Sequence, residues 1–133
     1  RGMFVTMIVG VYDKNKNELL LANAGHEPPL IFSKDGNFKT IDEAGPPLGI
    51  APNFKFAEQI ISFKESSMYI FTDGITEMKN NNGEMLGQEG FQDYIKKYQT
   101  TPNNKRLQKM IEDLISSGRI QKDDLTIVTV DGN

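Results

Sequence analysis

The stretch Met68-Tyr69-Ile70-Phe71-Thr72-Asp73-Gly74 decides how the rest of the chain is read. Four apolar residues in a row make a buried strand, and the strand runs directly into an aspartate and a glycine. A second acidic signal stands near the other end, where Asp123-Asp124 precedes Leu125-Thr126-Ile127-Val128-Thr129-Val130, again strand-like. Carboxylates at strand ends sit on a rigid frame, and oxygen-only donors of this kind suit hard cations such as Mg²⁺, Mn²⁺ or Ca²⁺. The plainer alternative is that Asp-Gly is a turn and Asp-Asp a loop beside a strand.

Outward from these two points the chain reads as strands first and helices later. Met3 to Tyr12 is a strand, Asp13 to Asn17 a polar turn, and Glu18 to Ala22 the returning strand of a hairpin. Asn23 to Pro29 contains a glycine and paired prolines, which forbid helix. Leu30-Ile31-Phe32 and Phe38 to Ile41 flank Asp35-Gly36-Asn37, a hairpin turn. Gly45-Pro46-Pro47-Leu48-Gly49 is a second rigid loop, and Phe54 to Phe63 reads as a further strand. Helical spacing appears at Phe91, Tyr94, Ile95 and Tyr98, and more strongly at Leu107, Met110, Ile111, Leu114 and Ile115. Pro102 stands where a helix start tolerates it. The order is a β-meander, two helices and a closing strand. That pattern predicts an α+β fold with the helices on one face of a mostly antiparallel sheet.

Bulk composition narrows the function classes. A chain of 133 residues supports one core. The net charge of -3 and the lack of a Lys/Arg stripe speak against a nucleic-acid surface. With no cysteine, disulfides, thiolate metal sites and Cys-dependent phosphoester hydrolysis are excluded, and a cytoplasmic location is expected. No apolar run approaches the roughly 20 residues that span a bilayer. The chain opens on Arg1 beside an apolar run, which reads as a piece cut from a longer protein.

Four motifs in matching order and spacing carry a resemblance: NAGHEPPLIF (Asn23–Phe32), GPPLGI (Gly45–Ile50), FTDGITE (Phe71–Glu77) and DDLTIVTV (Asp123–Val130). Together they resemble the bacterial protein phosphatase 2C-like catalytic domain of stage II sporulation protein E type. The resemblance implies an α-β-β-α sandwich with two antiparallel sheets and a two-metal site holding Mn²⁺ or Mg²⁺. It places Asp73 and Asp123 as metal ligands and Gly74 beside the site, with Asp124 a neighbour. It also implies metal-activated water as the nucleophile, with no catalytic side chain identified. The substrate class it implies is phosphoserine or phosphothreonine on a partner regulatory protein, such as an anti-sigma factor antagonist, with a sensory or receiver domain N-terminal in the parent chain. The family's earlier Asp-Gly motif, whose Asp bridges both metals, has no counterpart among Asp13, Asp35 and Asp42. Residues 1–133 are therefore expected to be a single partial phosphatase domain lacking its first strands and helices. Such a fragment is expected to be inactive alone, with open strand edges that invite self-association. The competing reading is a non-catalytic, partner-binding regulatory module of the same fold.

The single histidine has two readings. His26 lines the active-site mouth, or its ring bonds the backbone and fixes the turn before Pro28-Pro29, which is the favoured one. Glu77 reads as a solvated loop residue or helix start. Thr72 and Thr126 read as strand residues, and Asn80 to Glu84 as an exposed flexible turn near the site.

Overall fold

The computed structural model describes residues 2–132. Seven strands and three helices follow the order β1 (Met7–Asp13), β2 (Glu18–Ala24), β3 (Leu30–Ser33), β4 (Phe38–Thr40), β5 (Gln59–Ser62), β6 (Ser66–Phe71), α1 (Asp73–Thr76), α2 (Gly87–Lys97), α3 (Asn103–Ser116) and β7 (Ile127–Asp131). The strands make two sheets, one of order β1-β2-β5 and one of order β4-β3-β6-β7. The fold is α+β, with two antiparallel sheets followed by helices. The single sheet suggested by element order alone is corrected to two. Residues up to Met68, together with those from Val130 onward, form one compact unit, and Tyr69–Thr129 form a second.

In the first unit, turn chemistry sets the register. Asp13 Oδ1 accepts the backbone N–H groups of Asn15 (2.9 Å) and Lys16 (3.2 Å). This closes the β1–β2 hairpin, in which Asp13 pairs with Glu18 and Val11 with Leu20. Asp35 Oδ1 accepts from Asn37 N at 3.0 Å and does the same for β3–β4. On β2 the residues alternate, so Leu19 and Leu21 are buried while Leu20 lies on the opposite face. Leu20 is directly paired with both Val11 and Ile60, so these three share that opposite face. Val11 is 65% exposed and Ile60 70%. The core of this unit is built on Leu19, Leu21, Leu30, Ile31, Phe32, Ile41, Ile61 and Phe63.

Two expected strands are shorter than their apolar runs. Before β1, Val5 leaves the ladder and exchanges backbone hydrogen bonds with Leu48 (3.0 and 2.8 Å). Before β5, Phe54 and Phe56 pack ring on ring at 4.9 Å, over Gly45, where any side chain would collide with them. Aromatic packing against a loop takes the place of sheet pairing there.

In the second unit, Phe91 and Ile95 of α2 are fully buried, as are Met110 and Leu114 of α3. Both pairs have the i, i+4 spacing of one helix face. The Phe91 ring meets Phe71 at 4.8 Å and Tyr69 at 6.3 Å, both edge-on. Ile115, expected on the core stripe, is 58% exposed. Arg106 takes a core position instead, donating from Nε to Thr101 O (3.1 Å) and from Nη1 to the Tyr69 hydroxyl (3.4 Å). A buried guanidinium is tolerated only when its donors are used in this way.

Candidate functional site

Both acidic motifs belong to the second unit, and the chain brings them together. Strand β6 ends at Phe71, Thr72 is extended (φ -98°, ψ 159°), and the four-residue helix α1 begins at Asp73. Thr72 joins the two motifs. Its N–H donates to Thr126 O (3.1 Å), its hydroxyl donates to Asp124 O (3.4 Å), and the same hydroxyl accepts from Thr126 N (3.3 Å). It is the clasp between the motifs rather than a plain strand residue.

Gly74 completes the clasp. It is buried, and a Cβ built on it would lie closer than 3.0 Å to the carbonyl oxygen of Asp124. Only hydrogen fits between the start of α1 and the Asp123-Asp124 segment. Asp73 is exposed, and its backbone carbonyl accepts from Glu77 N (2.9 Å) and the Thr76 hydroxyl (3.2 Å). Asp123 is also exposed, and its carbonyl accepts from the Gln121 side chain at 3.0 Å.

A cavity of about 150 Å³ opens beside the clasp, lined by Gly74, Glu77, Lys79, Met85, Lys122 and Asp123. Gly74 and Asp123 therefore meet in one concavity, and Asp73 lies next to it in sequence without lining it. Asp124 belongs with Gln121, Lys122 and Asp123 to a neighbouring open depression. The wall of the cavity is a small hydrogen-bonded ribbon. Lys79 is bridged on one side to Met85 and on the other to Ile120, and Leu86 N donates to Met78 O at 2.8 Å. Arg119 Nη1 fastens the ribbon by donating to Met78 O (3.3 Å) and Glu84 O (3.2 Å). The turn from Asn80 to Glu84 is exposed but well bonded: Asn80 Oδ1 accepts from Asn82 N and Glu84 N, and Asn80 Nδ2 donates to Glu84 Oε2.

Lys79, Lys122 and Arg119 had no signal in periodicity. Only the position of Lys122 immediately before Asp123 could have drawn notice. His26 lies in the first unit. Its N–H donates to the buried Asn23 Oδ1 (2.9 Å), Asn23 Nδ2 donates to His26 O (3.1 Å), and its ring Nδ1 stands 2.9 Å from Glu27 O. This is the geometry of a residue that shapes its own loop.

A divalent cation suits the acidic residues in one respect and not in another. The donor type fits, because Asp73 and Asp123 offer only oxygen and Gly74 leaves backbone close at hand. The donor number falls short of a complete shell. No group of three or more His, Cys, Asp or Glu side chains able to hold a metal occurs among the described residues. The described residues thus match a hard cation in donor type but not in donor number. No helix among the described residues is long and apolar enough to cross a membrane.

Comparison with known proteins shows the family. The family model for stage II sporulation protein E matches residues 1–132. Protein IcfG of Synechocystis sp. is 30% identical over 136 residues, covering 96% of this chain and 20% of that protein. The phosphoserine phosphatase RsbU of Bacillus subtilis is 28% identical over 131 residues, covering 96% of this chain and 39% of that protein. Among solved structures, that of the RsbU and RsbW domains of Rv1364c from Mycobacterium tuberculosis superposes with a TM-score of 0.77 at 23% identity, over 96% of this chain and 36% of that one. The chain spans less than half the length of each of these relatives.

Proposed function

We propose, since this chain belongs to the stage II sporulation protein E family, that it is part of a metal-dependent protein serine/threonine phosphatase. Residues 1–133 form a portion of one phosphatase domain, and the substrate is a phosphorylated regulatory protein. The observation that carries this reading is the clasp. Thr72 and Gly74 hold two acidic segments, 50 positions apart at Asp73 and Asp123, against one another beside a cavity. The sequence likeness to a phosphoserine phosphatase adds to it.

Asp73 and Asp123 would hold the cation, Mn²⁺ or Mg²⁺, together with donors from outside the described residues. When bound, such a cation neutralises phosphoryl charge and makes water a nucleophile at neutral pH. The chain's own contribution is positional. Thr72 fixes the spacing of the acidic segments, Gly74 keeps them in contact, and the Lys79–Met85 ribbon walls the cavity. The chain has no cysteine to act as a nucleophile.

A partner-binding module without turnover is the second reading, and it is favoured by the incomplete donor set. Hydrolysis of a phosphoserine protein by the intact protein with Mn²⁺, compared with Asp73→Ala and Asp123→Ala, separates the two. Activity abolished in both variants supports the enzyme. Activity unchanged in either removes that aspartate from the site, and a folded, inactive wild type selects the module.

A further inference from the structure

We propose that Lys79 and Lys122 form a phosphoryl-recognition pair in the cavity beside Asp123, a role that rests on the phosphatase reading above. Both lysines line the same cavity of about 150 Å³. At roughly 30 Å³ per water, that space holds about five waters, enough for a phosphoryl group on a short side chain.

Three observations support recognition over simple charge balance. Glu77 and Asp123 line the cavity too, yet neither lysine forms an ion pair with a carboxylate among the described residues, in contrast to Lys34 with Glu65 and Lys97 with Asp113. The carboxylates are left for a cation and the ammonium groups for an anion. Lys79 is also held by its backbone from two sides, at Met85 and at Ile120, with Ile120 N donating to Lys79 O at 2.8 Å. Its side chain is half-buried, so its stem is restrained before any ligand arrives. Lys122 immediately precedes Asp123, so the clasp that positions the acidic segment positions this lysine as well. A lysine ammonium binds phosphate as a compact point charge, and two such groups facing one cavity suit a dianion.

The test titrates inorganic phosphate into the intact protein by calorimetry with Mg²⁺ present, alongside steady-state hydrolysis of a phosphoserine peptide. Lys79→Ala and Lys122→Ala are each expected to weaken phosphate binding about tenfold, the scale of one charge-assisted contact, and to raise KM in parallel. Lys79→Arg and Lys122→Arg are expected to stay close to wild type. Lys105→Ala, an exposed site on α3 that removes the same charge, is the control. Wild-type phosphate affinity in both alanine variants overturns the proposal. So does equal weakening in the control, which would assign the effect to overall charge, and so does a wild type that binds no phosphate. Lysine-dependent binding without hydrolysis supports the pair and rejects the phosphatase reading, because calorimetry does not depend on turnover.

Discussion

Replacing Gly74 by alanine sets two physical effects against each other. Gly74 lies in the first turn of the four-residue helix α1, and the preference for alanine over glycine in a helix, about 1 kcal/mol in an interior, is the most that can act there. Against this, the added methyl would lie closer than 3.0 Å to Asp124 O, where ordinary contact begins at 3.4 Å, so the two segments must part by more than 0.4 Å (3.4 − 3.0). The obstacle is a backbone carbonyl, which cannot rotate aside as a side chain can. Overpacking costs roughly 1–3 kcal/mol, and a rigid obstacle puts the cost near the top of that range. The net expectation is a loss of about 2 kcal/mol, since about 3 is offset by about 1. Because Asp124 is bonded to Thr72 and adjacent to Asp123, the displacement carries into the acidic pair. A misplacement of about 1 Å at a reacting centre can cost on the order of 100-fold in rate, so a tenfold to hundredfold drop in kcat is expected here. The assay is urea unfolding followed by far-ultraviolet circular dichroism, with phosphoserine-peptide hydrolysis at saturating Mn²⁺. A variant as active as wild type and equally or more stable would falsify the close approach, because helix propensity would then have won.

Thr72→Val keeps the shape of the side chain but removes the donor to Asp124 O and the acceptor for Thr126 N. A loss of about 1 kcal/mol and faster exchange of the Thr126 amide are expected, with Thr72→Ser near wild type, and unchanged exchange would count against the clasp. A third prediction concerns pH. Hydrogen bonds from Lys97 and then Tyr98, both 2.6 Å from Asp113 Oδ2, hold the Asp113 carboxyl below the ordinary carboxylate range. The hydrogen bond to Asp113 in turn raises Lys97 above the ordinary lysine value. The Asp113 contribution is present above the ordinary carboxylate range and is lost as pH falls through its lowered value. The Lys97 contribution is present below the ordinary lysine value and is lost as pH rises through its raised one. The Tm difference between wild type and Asp113→Asn should therefore be small, flat across neutral pH and closed at strongly acid pH. A gap that persists in strong acid refutes the assignment.

Local chemistry was legible in the sequence and long-range adjacency was not. Asp13 and Asp35 announced their hairpins because a short side chain bonding its own backbone is a local event. The helices were readable from Phe91 and Ile95, and from Met110 and Leu114. The partition into two sheets was legible only through the family resemblance and not from element order, because it turns on Leu20 standing between Val11 and Ile60, forty positions away. Helix α1 is too short to show a period. Arg106 was hidden because its burial depends on Tyr69 and Thr101. In the site, Asp73 and Asp123 stood out as carboxylates at strand ends. Lys79 and Arg119 did not, since the backbone bridges and carbonyl contacts that place them are encoded by no residue pattern.

The apolar face of the three-stranded sheet, where Val11 and Ile60 stand open beside Leu20, bears on how stability can be followed at all. Environment-sensitive dyes that light up on greasy surfaces will bind this face in the native state. A dye-based melt of the chain should start bright and give a flattened transition. Tryptophan emission is no substitute, because the chain has no tryptophan. The four tyrosines are distributed over both units, with Tyr12 in the first and Tyr69, Tyr94 and Tyr98 in the second, so tyrosine fluorescence averages the two. A tryptophan placed at Phe91 would report the second unit alone, at the cost of crowding Tyr69 and Phe71. Backbone dichroism with amide exchange is the probe pair that leaves the packing untouched.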